Sequence, residues 1–532
     1  MQALELILFM LAVSAAFELI ARKLSIPLPT LLVVGGLVLA VMPGLPRAEL
    51  PPDIVFLIFV PPLVYWAALT ISFQDFRDNI RSITLLGVGL VLATMAIVAT
   101  AAHAIVPGLS WGPAFVLGAI VSPPDVIAVT AVTRRLNLPH VIITILEGEG
   151  LVNDATAFVA YRIAVTAVVA GTFSIWQSGL RLIWTAAAGI VLGLVAGWLI
   201  GRIRSFVGHV PVVENTISLL TPFAVFIPAE RLGLSSVLAV ATTGLYLSRQ
   251  GPKIISAETR LQGQAMWEIL NFVLEGMIFI MIGVELPLIR RAVGNYPLPT
   301  LAGYTLLLST VLILVRVAWT FPGAYLPRLI RRKWLSKRDS YPSWRGVLFT
   351  GWAGVRGADS LVIALAIPLT TASGAQFPGR NIIILITFGV ILFTLVLQGL
   401  TLSPLIKLLK LRDNTDTEQA EEAHAQLRAI QAGIERLSQL AKEQWATPEV
   451  VEDIRKWYGH RIHLLNGANF EETLRDRRNA TAYVRLRLAT IAAERQEIIR
   501  LRDQDEIGDD ILRIIQRDLD FEEVRLAENE WS

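Results

Sequence analysis

Cysteine is absent from this 532-residue chain, and charged residues are scarce. The missing cysteine excludes a disulfide framework. Asp, Glu, Lys and Arg make up only 17% of the residues, against 54% that are hydrophobic, and the mean hydropathy is +0.57. This balance is too apolar for a soluble protein and is typical of a polytopic membrane protein lying in a lipid bilayer.

Three further patterns are missing. No basic residues precede the first apolar run, and Arg22 and Lys23 follow it, so we predict a first transmembrane helix rather than a signal peptide. Despite a pI near 9.1, the basic residues are spread over short loops, which argues against nucleic acid as a partner. No nucleophile–base set, metal-ligand cluster or phosphate loop is visible, and the six histidines are scattered. We therefore expect neither an enzyme nor a cofactor.

Apolar windows of about twenty residues, the length that a helix needs to cross a bilayer, recur along the chain. They lie near residues 4–21, 28–44, 53–71, 81–106, 110–132, 138–169, 181–201, 211–229, 232–248, 265–287, 300–326, 344–370 and 380–407. The pattern predicts an all-α protein with about thirteen transmembrane helices.

The charges of the intervening loops predict an orientation. With the amino terminus outside, the inside loops hold about seventeen Lys and Arg residues and the outside loops about six, as the positive-inside rule requires. We predict a multi-pass protein of the cell membrane with its carboxyl-terminal tail in the cytoplasm.

The character of the chain changes near Leu411. We predict two domains, a transmembrane domain of residues 1–410 and a charged, helical cytoplasmic domain of residues 411–532. The predicted tail helices lie near residues 417–445, 448–465, 469–505 and 509–530. Whether this tail is a set of solvated helices or a regulatory or dimer-stabilising module stays open at this stage, as does its ligand.

Carboxylates occur inside two of the apolar windows. Ser122-Pro-Pro-Asp125 lies in the fifth, and Glu147-Gly-Glu-Gly-Leu-Val-Asn-Asp154 lies in the sixth. A carboxylate at mid-bilayer costs about 2.5–3.5 kcal/mol on insertion scales, so such residues persist where they are used. We therefore expect the functional site here.

Two spans are predicted to be broken. Pro123 and Pro124 lack amide donors, so the fifth span should become extended at Ser122 and Pro123 and restart near Asp125. Glycines at 351, 354 and 357 interrupt the twelfth span beside Arg356 and Asp359. The two breaks are seven spans apart, which predicts an inverted repeat with the transport site at mid-membrane.

Asp125 and Asp154 on neighbouring spans could face one cavity. Either a proton or a monovalent cation can neutralise such a pair, which is the minimal requirement for exchange of cations against protons with access alternating between the two sides. Oxygen ligands favour a hard cation. Arg316 in the eleventh span needs an acidic partner, for which Glu149 is our candidate and Glu147 or Glu275 are alternatives.

These same motifs resemble those of a known family, the monovalent cation:proton antiporters of the NhaP and eukaryotic sodium/proton-exchanger type. The segment ending at Asp154 is similar to the family's Glu-Gly-Glu-Ser-Leu-x-Asn-Asp, and the segment ending at Asp125 to its Ser-Pro-Thr-Asp. Trp352-Ala-Gly-Val-Arg-Gly-Ala358 resembles its Trp-Gly-Gly-Leu-Arg-Gly-Ala. The resemblance covers about residues 1–410.

The resemblance implies roles for individual residues. Asp154 would be the essential carboxylate that binds cation and proton, with Asn153 beside it, Asp125 as a second site residue and Ser122 as a possible further ligand of Na⁺. Glu149 and Arg316 would form a buried stabilising pair, and Arg356 would lie where the two broken helices cross. The family also implies homodimers, movement of a core against a dimerisation domain, electroneutral exchange, and a part in pH and sodium homeostasis.

Three residues depart from the family pattern. Gly150 replaces a serine, Pro124 replaces a threonine, and Asp359 stands where a small or apolar residue is usual. Asp359 could pair with Arg356 or line the ion path.

Antiport of Na⁺, with K⁺ or Li⁺ as alternative cations, is the function that the sequence favours. A K⁺/H⁺ antiporter, a cation channel and an ion-binding sensor remain as alternatives. No span shows the filter-like backbone run of a channel.

Overall fold

The computed structural model describes residues 2–24, 28–41, 52–125, 129, 138–170, 175–207, 210–292, 297–330, 343–411, 415–465 and 480–528. Regular structure within these ranges is helical, apart from an isolated bridge between Thr370 and Gln376. This confirms the predicted all-α class.

The helices of the apolar part are numbered α1 to α15 here. The first eight are α1 (Gln2–Leu24), α2 (Leu28–Val41), α3 (Pro52–Thr70), α4 (Phe73–Asp78), α5 (Ile80–Ile105), α6 (Trp111–Val121), α7 (His140–Ala170) and α8 (Ile175–Val207). The others are α9 (Pro211–Arg231), α10 (Ser236–Ile254), α11 (Ala257–Ala292), α12 (Leu298–Ile330), α13 (Trp344–Trp352), α14 (Ala358–Leu365) and α15 (Arg380–Leu409).

Each of the thirteen predicted windows contains one of these helices or, in the twelfth, two. By length and composition, seven helices could cross a membrane: α5, α7, α8, α9, α11, α12 and α15. Shorter apolar stretches occupy α1, α2, α3 and α6. The total of thirteen crossings and the inverted repeat stay predictions.

Burial separates the centre of the bundle from its edge. In α15, 72% of the apolar window is buried, against 17% in α8 and 22% in α12. Because the exposed faces of α8 and α12 are apolar, they suit contact with lipid tails, whereas most of α15 packs against protein. The central α15 contacts α13 and α14, the two halves of the broken twelfth span.

Local capping explains several helix starts. Ser72 accepts a hydrogen bond from the backbone N of Asp75 (3.2 Å) and thereby caps α4, and Ser343 does the same for Gly346 in α13 (3.1 Å). Within α5, residues Leu85–Leu90 form a π-helical turn. Such turns are rare and recur near functional sites.

Four helices form the tail: α16 (Thr415–Leu440), α17 (Pro448–Leu465), α18 (Ala480–Asp503) and α19 (Asp509–Glu528). They enclose apolar clusters of their own, which are separate from the large cluster of the bundle. Pro448 begins α17, as predicted. The first tail helix ends at Leu440 rather than near 445, because the chain turns before Pro448. Residues 469–479, the start of the predicted third tail helix, lie outside the described residues.

Candidate ion-binding site

The fifth-span break begins where α6 ends, at Val121. Ser122 was predicted to be extended, but it keeps helical geometry (φ −72°, ψ −38°). Its hydroxyl donates to the Ala119 carbonyl oxygen (2.9 Å), and so replaces the amide hydrogen that Pro123 lacks. The predicted restart of the helix after Asp125 lies outside the described residues.

The twelfth-span break separates α13 from α14, as the glycines predicted, and leaves residues 353–357 without helical structure. Two polar side chains of α15 support this stretch. Gln398 Nε2 donates to the Trp352 carbonyl oxygen (2.8 Å), and Thr394 Oγ1 accepts from the backbone N of Arg356 (3.1 Å). Irregular backbone inside a membrane needs such partners.

The two breaks contact each other by exchanging hydrogen bonds. In a continuous helix the amide of Asp125 would donate to the carbonyl of Val121. Here the Asp125 amide donates instead to Val355 O (2.7 Å), and Val121 O accepts from Arg356 Nε (2.7 Å). Each broken span therefore supplies hydrogen-bond partners for backbone groups that the other leaves unpaired. These bonds fix Asp125 against the stretch that carries Arg356.

Gly357 permits this close approach. A Cβ atom at Gly357 would lie 2.6 Å from the Cβ atom of Asp125 and would overlap its carboxylate. Any larger residue at 357 would therefore displace the Asp125 side chain.

Arg356 is buried between the two breaks, with a relative exposure of 2%. Its guanidinium donates to Val121 O and, at 2.5 Å, to Gly354 O. Among the described residues no ion pair joins Arg356 to Asp359, so the predicted pairing of these two is not formed. The guanidinium donates instead to backbone carbonyl oxygens at the two breaks.

The motif of the sixth span lies in α7, next to the first break. Glu149 and Asn153 are fully buried, and Asp154 is partly exposed. Asn153 Nδ2 lies 3.4 Å from the Pro124 carbonyl oxygen, to which it donates. Within the part of the chain that the structure describes, Asn153 Oδ1 and Asp154 Oδ1 are buried without a hydrogen-bond donor. Buried oxygens without donors can serve as ligands for a cation.

Several carboxylates surround Asp154. Its charge interacts with those of Asp359, Asp125 and Glu149. Asp359 lies in the first turn of α14 and also interacts with Asp125. Asn153, beside Asp154, bonds to Pro124 O, and Gly357, two residues before Asp359, lies against the Asp125 carboxylate, so the structure brings together the segments that carry the three acids.

Glu149 has a counter-charge in Arg316. Two nitrogens of the Arg316 guanidinium donate to its two oxygens, one of them at 2.9 Å. Arg316 also donates to Thr350 O and Ala353 O, both at 3.3 Å. The predicted Glu149–Arg316 pair is thus present, and it connects α7 and α12 to the end of α13.

Sequence reasoning missed some residues of this site. Glu275 of α11, considered only as a partner for Arg316, interacts electrostatically with Asp125 and Asp359. Thr394 and Gln398 were not singled out, although each is a polar residue in the mainly apolar α15. That contrast with their apolar neighbours was the signal available.

The described part of the site offers oxygen ligands for a weakly bound, hard cation. Carboxylate oxygens come from Asp125, Asp154 and Asp359, and an amide oxygen comes from Asn153. The Ser122 hydroxyl is a possible further ligand, since its oxygen can accept while its hydrogen is donated. Among the described residues no three His, Cys, Asp or Glu side chains converge as in a structural metal site.

Comparisons with known proteins show what this chain is similar to. The family model of the sodium/hydrogen exchanger transmembrane region matches residues 8–408. A Mycobacterium tuberculosis protein described as an uncharacterized Na⁺/H⁺ exchanger is 34% identical over 531 residues, which are 99% of this chain and 96% of that protein. A Bacillus subtilis antiporter named for sodium, potassium, lithium and rubidium is 32% identical over 409 residues. These cover 74% of this chain and 60% of the length of that protein. The Na⁺/H⁺ antiporter ApNhaP of Aphanothece halophytica is 30% identical over 417 residues, 77% of this chain and 75% of its own.

A solved structure also shares the fold. The sodium proton antiporter MjNhaP1 from Methanocaldococcus jannaschii at pH 8 matches with a TM-score of 0.58 and 21% identity, over 75% of this chain and 98% of that one. At this identity the likeness concerns the fold alone.

Proposed function

Because this chain belongs to the sodium/hydrogen exchanger family, we propose that it exchanges Na⁺ for protons across the cell membrane by alternating access. Asp154 is the exchanging carboxylate, and Asp125 shares the site with it. The chain is a transporter and not an enzyme.

The observation that carries this proposal is the contact between the two acidic motifs at a broken helix, where Asn153, beside Asp154, donates to Pro124 O, and the amide of Asp125 donates to Val355 O. Glu149 is neutralised by Arg316, whereas the guanidinium of Arg356 contacts backbone carbonyls. Asp154, whose Oδ1 atom has no hydrogen-bond donor among the described residues, needs a positive charge when the site is closed to water, because an uncompensated buried carboxylate is costly. Either a proton or a monovalent cation meets this need, so release of one favours binding of the other.

The choice of cation follows from the remaining ligands. Asn153 Oδ1 and the Ser122 hydroxyl can contribute neutral oxygens, and Gly150 contributes no side-chain oxygen. We favour Na⁺, the cation in the name of the relative from Aphanothece halophytica. K⁺ and Li⁺ are the alternatives, since the relative from Bacillus subtilis is named for several alkali cations.

We place the amino terminus outside and the tail in the cytoplasm, on the excess of basic residues in the predicted inside loops. A homodimer and a part in pH and sodium homeostasis rest on the family resemblance. Regulation through the tail is also part of this proposal, and its ligand is not identified.

The test uses everted membrane vesicles that contain the full chain and a pH-sensitive dye. After acidification of the interior, addition of Na⁺, Li⁺ or K⁺ should raise the internal pH in wild-type vesicles. Asp154→Asn should abolish this response, and a fully active variant would remove Asp154 from the mechanism. Glu268→Gln is the matched control, because Glu268 is a carboxylate of α11 that contacts only the exposed Gln264 among the described residues.

The same vesicles separate the rival functions. Cation flux without coupled proton movement would indicate a channel. A wild-type protein without any response under several imposed gradients would indicate a sensor.

A further inference from the structure

The tail helices α18 and α19 contact the transmembrane helices at several points, at loops predicted to be cytoplasmic. Arg260, at the start of α11, donates to both carboxylate oxygens of Asp520 in α19, at 2.6 and 2.8 Å. Lys253, at the end of α10, lies 2.5 Å from Asp503 of α18. These contacts hold α18 and α19 against the junction of α10 and α11.

A further contact involves the short helix α4. One carboxylate oxygen of Asp509 accepts from the backbone N of Gln74 (3.1 Å) and from the Ser72 hydroxyl (3.3 Å). Its other oxygen lies 3.7 Å from Arg502. Since Ser72 is also the cap of α4, Asp509 holds the first turn of that helix from outside the bundle.

Helix α4 and the start of α5 press directly on α7. A Cβ atom on Gly148 would lie 3.2 Å from Phe76 Cδ2 and 2.9 Å from Ile83 Cγ1. Only glycine leaves room for both side chains, so Phe76 and Ile83 determine how close α7 comes at this level. Gly148 immediately precedes Glu149, which is paired with Arg316.

The same helix α5 touches α7 again one turn further on. A Cβ atom added to Gly87, in the π-helical turn, would lie 2.7 Å from the Cβ atom of Val152 and 3.2 Å from the backbone N of Asn153. The α4–α5 unit therefore contacts α7 at Gly148 and again at Val152 and Asn153, within the segment that carries the ion site.

We propose that Asp509 is a positioning residue for the ion site. By fixing α4, it sets the position of Phe76 and Ile83 against Gly148, and through them the position of Glu149, Asn153 and Asp154. This inference rests on the proposed exchange function, and it assigns one route by which the tail acts on that function.

The first experiment measures exchange by the full chain in proteoliposomes, with the cation concentration for half-maximal exchange separated from the maximal rate. Asp509→Ala should raise the half-maximal concentration about threefold to tenfold, with an unchanged amount of folded protein. Asp518→Ala is the matched control, because Asp518 is an exposed carboxylate of the same helix α19 and forms no hydrogen bond or ion pair among the described residues. It should keep the wild-type value.

A rescue experiment tests the route. The chain has no cysteine, so Arg77→Cys and Asp505→Cys can be cross-linked with a bis-maleimide without side reactions. These two residues form an exposed ion pair between α4 and the segment before α19 (3.2 Å). Cross-linking in the Asp509→Ala background should restore the wild-type half-maximal concentration, and a monofunctional maleimide should not.

A double-mutant cycle tests the contact with α7. If Asp509 acts through Phe76, Phe76→Ala alone should raise the half-maximal concentration, and adding Asp509→Ala should change it little further. Additive effects would overturn the route, as would a cross-link that restores nothing or an Asp509→Ala value equal to that of Asp518→Ala.

Two outcomes remain distinguishable. An inactive wild-type chain would refute the proposed function, whereas an active wild type with an unchanged Asp509→Ala variant would refute only the positioning role. If Asp509→Ala does not fold, Ser72→Ala removes the other end of the same contact and is judged by the same criterion.

Discussion

Arg316 and Glu149 form a buried ion pair with two parallel hydrogen bonds, and their side chains are 1% and 0% exposed. Two bonds from one planar guanidinium to one carboxylate give the pair a fixed geometry. The same guanidinium holds two carbonyls at the end of α13. The pair therefore connects the helix of the ion site to the broken twelfth span.

Breaking this pair should destabilise the protein. Arg316→Met leaves the Glu149 charge buried without a partner, and we expect a loss of about 3–5 kcal/mol in the free energy of unfolding. Glu149→Gln should also destabilise, by leaving the guanidinium without its counter-charge. Thermal unfolding of purified protein in detergent measures both.

The double variant provides the control. Glu149→Gln combined with Arg316→Met removes both charges, so it should melt at a higher temperature than Arg316→Met alone. Strictly additive losses would show that the two residues act separately.

Enlarging Gly357 should disable the ion site. In Gly357→Ala the new methyl group would overlap the Asp125 carboxylate, so this side chain must move. We expect at least a tenfold loss of the exchange rate, about 1.4 kcal/mol, in protein that still folds. Gly303→Ala in α12 is the control, because a Cβ atom there meets no atom within 4 Å. Full activity of Gly357→Ala would show that the position of Asp125 is not critical.

Replacing Asp359 should change the affinity for the cation rather than the stability of the fold. It has no ion pair among the described residues, and its charge interacts with Asp125 and Asp154. Asp359→Asn removes one negative charge from this neighbourhood, so the cation concentration for half-maximal exchange should rise about tenfold, equivalent to about 1.4 kcal/mol.

The outcome for Asp359→Asn also discriminates between its two candidate roles. A lower melting temperature with an unchanged half-maximal concentration would support a structural role for Asp359, the pairing with Arg356. Unchanged values of both would remove Asp359 from either role.

The helices and their breaks could be predicted because local chemistry determines them. Bilayer thickness fixes the length of an apolar span, and each predicted window does contain a helix. Proline and glycine weaken a helix, and at both breaks they stand beside charged residues, so both breaks could be predicted. Pro61 and Pro62, without such neighbours, lie inside α3 without ending it. The conformation of Ser122 was predicted incorrectly, because a single hydroxyl bond to Ala119 O replaces the missing amide.

Relations between distant segments could not be predicted from one sequence. The exchange of hydrogen bonds between Asp125 and Val355 depends on how two spans meet, and no residue pattern records it. The support of the break by Gln398 and the contact of Asp509 with α4 are of the same kind. The Glu149–Arg316 pair was predictable because a buried guanidinium must have an acidic partner and few candidates existed.

The docking of the tail should depend on salt and not on physiological pH. Partial burial would raise the pKa of Asp503, but hydrogen bonds from Lys253 and Arg502 outweigh it and lower this pKa below its usual value. A carboxylate whose pKa is lowered by folding stabilises the folded state above its unfolded pKa, about 3.9, and loses that effect only as the pH falls through the lowered value. Between pH 6 and pH 9 the Lys253–Asp503 contact should therefore stay intact.

Salt acts differently on the two contacts at the junction of α10 and α11. The side chains of Lys253 and Asp503 are 44% and 34% exposed, whereas Asp520 is 1% exposed beside Arg260. Raising the ionic strength from about 0.1 M to 1 M shortens the screening length from about 10 Å to 3 Å, which weakens exposed pairs first. Amide hydrogen exchange, corrected for its intrinsic pH dependence, should increase with salt around Lys253 and stay slow around Arg260. Faster exchange around Lys253 at pH 6 than at pH 8 in constant salt would contradict this assignment, because it would require a group that titrates near neutrality in the contact.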